Sequence, residues 1–157
     1  MVTTLAVKRI SDGKHFQCKK INLSKLVDTE ITPAMLKERD WILKKFKHEN
    51  IVAYEESFLE NDQCIIISDL CGFTDLSTLI RIQRKKGEHF REDEILSLVD
   101  TCCRVLVEAE DLGIVHGGIH PGNIMVKEGG KGGVVKINNW GLSALLAKTH
   151  TKDISAI

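Results

Sequence analysis

Three features carry residue types that can do chemistry: five cysteines, a run of glycines, and one arginine on an apolar helix face. Cys18, Cys64, Cys71, Cys102 and Cys103 are odd in number, sit in apolar settings and include no Cys-x-x-Cys pair. That pattern argues against a disulfide framework and against a zinc site, and the expectation is buried, reduced thiols of a cytoplasmic protein. Gly129-Gly130-Lys131-Gly132-Gly133 has the composition of a phosphate-binding loop. It lacks the Gly-Lys-Ser/Thr ending and leads into a strand rather than a helix, so it reads as a hairpin turn. The arginine is Arg39. Met35, Ile42 and Phe46 mark one face of a helix, and Arg39 falls on the same stripe. A charge in that place needs an explanation.

Composition limits the partners. Twenty-two Lys and Arg balance twenty-two Asp and Glu, so the chain has no general pull on nucleic acid or an anionic membrane. No apolar run approaches the roughly 18 residues of a membrane span. The start, Met1-Val2-Thr3-Thr4-Leu5-Ala6-Val7-Lys8, does not read as a signal peptide. With 157 residues the chain can bury a core of one domain or two small lobes.

The elements that must position any site follow from the local pattern. Residues 2–9 and 15–23 are extended runs joined by Ser11-Asp12-Gly13-Lys14, a two-residue hairpin signal in which both central residues would take positive φ. Thr32-Pro33 opens a helix that runs to about Lys47. A second hairpin crosses Asn61-Asp62, and Cys64-Ile65-Ile66-Ile67 reads as a buried strand. Thr74 or Asp75 caps a short helix that stops near Gly87. A longer helix starts at Glu92 and ends near Leu112, with Ile95, Val99, Cys102 and Leu106 at heptad-like spacing. Short strands at residues 124–126 and 134–137 close the pattern. Strands first and helices later give an α+β class.

The order of these elements, together with five motifs, resembles a eukaryotic protein kinase. Phe16-Gln17-Cys18-Lys19 matches the strand that carries the phosphate-binding lysine, here Lys19. Lys47-His48-Glu49-Asn50-Ile51-Val52-Ala53-Tyr54-Glu55-Glu56-Ser57-Phe58 and Ser11-Asp12-Gly13-Lys14 are similar to the NIMA-related (NEK) serine/threonine kinases. Ile66-Ile67-Ser68-Asp69-Leu70-Cys71 resembles the hinge, with Ser68 in the gatekeeper place. Gly113-Ile114-Val115-His116-Gly117-Gly118-Ile119-His120-Pro121-Gly122-Asn123-Ile124 resembles the catalytic loop. Lys136-Ile137-Asn138-Asn139-Trp140-Gly141-Leu142-Ser143 resembles the start of the activation segment.

The resemblance implies a partial kinase-like domain over residues 1–157. Residues 1–70 would form an incomplete amino-terminal lobe, an antiparallel sheet with one helix, lacking the first strand and glycine-rich loop. Residues 71–157 would begin a helical carboxy-terminal lobe and stop after Asn139-Trp140-Gly141. It also assigns roles, and several places hold the wrong chemistry. Gly118 stands where the family has the aspartate that accepts the substrate proton, help typically worth about 10²–10⁴-fold. Asn139 stands where the family has its magnesium aspartate, and Asn123 matches the second metal ligand. Two neutral amides make a poor magnesium site. His120 replaces a transition-state lysine, and at an unperturbed pKa of about 6.5 it brings little charge at neutral pH. His116 is expected to pack the loop rather than act as a base, and Trp140 to belong to the core.

Arg39 falls where the family has the glutamate that pairs with the strand lysine. Two cations roughly 4 Å apart repel by about 4 kcal/mol at an effective dielectric of about 20, so they should splay. The alternative is a register one residue different, with Glu38 or Asp40 in the role.

The leading expectation is therefore a pseudokinase scaffold or regulatory binding module, with no catalytic residues and no required cofactor. Protein partners would bind through an exposed face of the Glu92 to Leu112 helix; nucleic acid and membrane are not expected partners. One alternative is a weakly active serine/threonine kinase that keeps a nucleotide-binding remnant, Lys19, Asp69, Cys71 and Asn123. ATP would then bind weakly. Another is a truncated gene product without independent function. A cytoplasmic location is expected, and cytoskeletal association follows from the resemblance only.

Overall fold

Seven strands, three α-helices and two 3₁₀ turns make up the described residues, 2–25, 31–127 and 133–140, of a computed structural model. This is a partial protein-kinase-like fold of the α+β class. The chain divides into two units, Met1–Lys47 with Ala53–Leu70, and His48–Val52 with Cys71–Gly141.

In the first unit, β1 (Val2–Lys8), β2 (His15–Asn22), β3 (Tyr54–Glu60) and β4 (Gln63–Asp69) form an antiparallel sheet in the order β1-β2-β4-β3. The two hairpin turns differ. Asn61 and Asp62 both take left-handed backbone, φ 47° and 56°, as a two-residue turn between right-twisted strands requires. Asp12-Gly13 does not form the two-residue turn expected of it. Only Gly13 is left-handed, at φ 74°. The Asp12 carboxylate instead accepts the Lys14 N–H at 3.0 Å and pairs with Arg9, so the loop closes wider, from Arg9 to Lys14.

The helix α1 (Pro33–Lys45) starts as its sequence dictates, with the Thr32 hydroxyl accepting the Met35 N–H at 3.3 Å and Pro33 in the first turn. Its most buried side chains are Leu36 and Leu43, and of the expected face Phe46 just beyond the helix is buried while Met35 and Ile42 are half-buried. Leu36 enters a core with Ile21, Ile31, Cys64 and Ile66, against which Met35 and Tyr54 pack.

In the second unit, β5 (Thr74–Asp75), β6 (Ile124–Lys127) and β7 (Val134–Ile137) form a small antiparallel sheet in that order. Residues 129–132 of the glycine run lie outside the described residues, while β6 and β7 pair as a hairpin requires. Asp75 caps α2 (Leu76–Lys86) by accepting the Thr78 N–H at 2.9 Å, and Gly87 ends it at φ 71°. The His48–Val52 segment joins this unit through Val52 N–H to Ile137 O (3.0 Å) and Ile137 N–H to Asn50 O (2.7 Å).

The long helix α3 (Glu92–Asp111) buries Cys102 as expected, together with Val105 and Ala109, but not Ile95 and Val99. Ile95, Leu96, Val99 and Val107 are exposed, because the stripe that meets the unit lies about one residue round from the expected one. Cys103 is exposed as well, against the expectation that the thiols are buried; Cys18, Cys64 and Cys102 are buried and Cys71 is half-buried. Among the described residues no helix is long and apolar enough to cross a membrane.

Candidate active site

The site residues fall into two groups, one in each unit. In the first, the pleat of β2 sends Phe16 and Cys18 to one face and Lys19 and Ile21 to the other. Ile66 stands opposite Lys19, and Cys64 opposite Ile21, on β4. This is the face on which Leu36 of α1 packs. Arg39 lies between Leu36 and Leu43 on the helix, so both cations belong to the same layer.

Lys19 has its pKa lowered, first by burial and then by the positive charge of Arg39. Arg39 is itself held down by burial, with Tyr54 and Asp40 acting in the other direction. Its guanidinium lies over the Tyr54 ring, 4.9 Å from the centroid. The residues of the alternative register are placed elsewhere. Glu38 is exposed. Asp40 accepts hydrogen bonds from the Tyr54 hydroxyl and from the Ser57 hydroxyl (2.7 Å) and N–H (3.3 Å). Burial and this carboxylate push the Tyr54 pKa up. Sequence reasoning gave Tyr54 and Ser57 no role. Tyr54 is the chain's single tyrosine, within the junction motif, which was the available signal.

At the hinge, the Asp69 N–H donates to Ala53 O at 2.8 Å and its carboxylate pairs with Lys14 at 3.2 Å. The Asp69 N–H is thus already engaged within its own unit. Cys71 follows outside the strands, just before Gly72 at φ 63°.

The second unit holds the loop residues. His116 is 2% exposed, and its two ring nitrogens are both engaged. Nδ1 accepts the Gly118 N–H at 3.2 Å, so the proton must sit on Nε2, which donates to Asn138 O at 2.8 Å. Burial lowers its pKa, opposed by the Asn138 bond, with His120 adding a smaller lowering. A neutral imidazole with both nitrogens bonded to backbone holds the loop in shape. Trp140, 4% exposed, packs edge-on against it at 4.7 Å and donates Nε1–H to Ile137 O. Gly141 to Ser143 of the motif lie outside the described residues.

His120 caps the 3₁₀ turn Pro121–Asn123, its Nδ1 accepting the Gly122 N–H at 3.1 Å. Gly118 takes part through its backbone alone. Its carbonyl accepts from Asn123 Nδ2 at 2.7 Å. A carbonyl can only accept, so the Asn123 amide must turn its nitrogen to Gly118 and its oxygen the other way. That oxygen meets Asn139, whose Nδ2 donates to Asn123 Oδ1 at 2.6 Å. The orientation of both amides thus follows from one carbonyl. Asn139 is left-handed at φ 65°, which asparagine tolerates better than most residues. Its N–H donates to Asn138 Oδ1 at 2.7 Å, and Asn138 N–H to Asn123 O at 2.8 Å.

Of the expected site residues, the structure brings Gly118, Asn123 and Asn139 into one hydrogen-bonded group, and Lys19 and Arg39 into one layer of the other unit. Sequence reasoning did not foresee the amide-to-amide bond. Among the described residues no group of three or more His, Cys, Asp or Glu side chains is arranged to hold a metal ion.

Comparison with known proteins agrees with this architecture. The protein kinase domain family model matches residues 2–156. The chain is 36% identical over 143 residues to serine/threonine-protein kinase Nek1 of Mus musculus, covering 91% of this chain and 11% of that protein. It is 35% identical over 136 residues to serine/threonine-protein kinase Nek5 of Homo sapiens, covering 87% and 18%. The chain therefore spans less than a fifth of the length of either relative.

Proposed function

The chain belongs to the protein kinase family, related to the Nek kinases, and we propose that it has lost phosphotransfer and works as a pseudokinase, a binding scaffold or regulatory module. The observation that carries this reading is the Asn139–Asn123 bond. The Asn123 oxygen, which the resemblance would turn to a magnesium ion, instead receives the Asn139 amide N–H at 2.6 Å. Magnesium takes hard oxygen donors in a near-octahedral shell and gives up its waters reluctantly. Two neutral amides bonded to each other do not fit it. Gly118 adds no side chain where the resemblance places the proton acceptor, and its N–H and carbonyl are both used inside the loop. Lys19, its pKa held down by burial and then by the charge of Arg39, shares its layer with that second cation. Residues 1–70 and 71–157 are read as parts of one partial kinase-like domain, and protein partners as meeting the exposed Ile95, Leu96, Val99 and Val107 of α3.

A radiometric phosphotransfer assay on the purified chain with generic protein substrates tests the reading, and no turnover above background is expected. Turnover abolished by Lys19→Ala would contradict it and would support the second reading, a weakly active kinase. Calorimetric titration with ATP, with and without magnesium, addresses binding separately. Heat that grows when magnesium is added contradicts the closed amide pair.

A further inference from the structure

The outer face of α1 is built unlike the face that packs on the sheet. Lys37, Trp41 and Lys45 follow at four-residue spacing, and Lys44 lies three residues beyond Trp41, so they form one stripe. All four are exposed. Trp41 leaves 62% of its surface in solvent, whereas the chain's other tryptophan, Trp140, leaves 4%. Indoles carry a large apolar area that is usually covered. The core does not need Trp41, because Leu36 and Leu43 supply the buried side of the helix.

Lys45 places its ammonium 3.6 Å from the centre of the Trp41 ring and so braces one face of the indole. Three lysines against the single Glu38 make this stripe positive, although the chain as a whole is neutral. An exposed aromatic anchor with a predominantly positive rim is the composition of an interface centre. A lipid surface is a weaker match, since an interfacial helix needs a continuous apolar face and the neighbours of Trp41 on this stripe are charged.

We propose that the outer face of α1 docks an acidic peptide segment of a partner protein, which lays an apolar side chain on Trp41 and sets its carboxylates against Lys37, Lys44 and Lys45. The indole supplies most of the affinity, and the lysines supply orientation and salt dependence. This surface is distinct from the amide pair and stands whether or not the chain transfers phosphate.

Because Trp41 is the exposed one of two tryptophans, intrinsic fluorescence reports on it directly. The full chain is titrated with a synthetic peptide of alternating glutamate and leucine, with polyglutamate, and with phosphatidylserine vesicles. The expected result is a blue shift and reduced acrylamide quenching with the Glu-Leu peptide, at a peptide concentration that rises about tenfold as salt is raised. Anisotropy of the labelled peptide then reads two surface variants whose folding circular dichroism checks. Trp41→Ala should weaken binding by about thirtyfold, and the combined Lys37→Gln, Lys44→Gln, Lys45→Gln variant by about tenfold. Equal binding by Trp41→Ala, a response to vesicles alone, or no response to the Glu-Leu peptide would overturn the proposal. None of these outcomes bears on phosphotransfer.

Discussion

Arg39 in the sheet unit and Asn139 in the loop unit both stand where the kinase resemblance places a carboxylate, and their surroundings have adjusted in opposite ways. Asn139 has the shape of an aspartate without its charge, and it is hydrogen-bonded to Asn123 and, through Asn123, to Gly118. Arg39 carries the charge opposite to the one the resemblance implies there. The guanidinium lies over Tyr54 while Asp40 takes the Tyr54 hydroxyl and Ser57. A neutral isostere can join a polar network through its amide, whereas a buried charge brings a desolvation cost that its neighbours must offset.

The comparison breaks most visibly at His116. Its ring satisfies one backbone donor and one acceptor and packs on Trp140, so His116→Ala should destabilise by about 3 kcal/mol in urea unfolding. A loss below about 1 kcal/mol would mean that the loop does not depend on its neutral network. Asn123→Ala removes the bonds to the Gly118 carbonyl and from the Asn139 amide, with an expected loss of about 2 kcal/mol by the same measurement. In the other unit the sign reverses. Arg39→Met keeps a long side chain beside Leu36 and Leu43 and removes the buried charge, and a gain of about 1 kcal/mol is expected. Destabilisation there would show that Tyr54 and Asp40 more than compensate the charge.

The smallest effect is a pH dependence. Burial holds the folded His116 pKa below its ordinary 6.5, so the unfolded chain binds this proton first. The stability it contributes is full above the unfolded value and falls away as pH drops through 6.5 toward the lower folded value. His116→Gln should flatten that slope relative to the unaltered chain in urea titrations at several pH values. An unchanged slope would place the proton elsewhere.

Local rules made much of the scaffold legible. Thr32-Pro33, Asp75, Gly87 and the Asn61-Asp62 turn act where their chemistry says they should, because each depends on neighbours within a few residues. Arg39 stood out from periodicity alone. Which of two adjacent stripes lies deepest was only partly legible: Phe46 and Cys102 of the expected faces are buried, but Leu36 and Leu43 lie deeper than Met35 and Ile42 on α1, and on α3 Val105 and Ala109 are buried while Ile95 and Val99 are exposed. Both stripes in each helix are apolar, and only the partner surface chooses between them. β5 was missed because its two residues pair with β6, about fifty positions away. The amide pair was hidden for the same reason, since Asn123 and Asn139 meet only once β6 and β7 have formed a hairpin.

The central claim is that Asn123 and Asn139 occupy each other instead of a metal ion. Side-chain amide resonances of ¹⁵N-labelled protein, assigned by Asn123→Ala and Asn139→Ala and followed during titration with magnesium and ATP, test it most directly. The two resonances should stay in place in the unaltered chain, while Asn139→Asp, which puts a carboxylate against Asn123 Oδ1, should respond to magnesium. Displacement of the Asn123 or Asn139 signals by magnesium in the unaltered chain would contradict the claim.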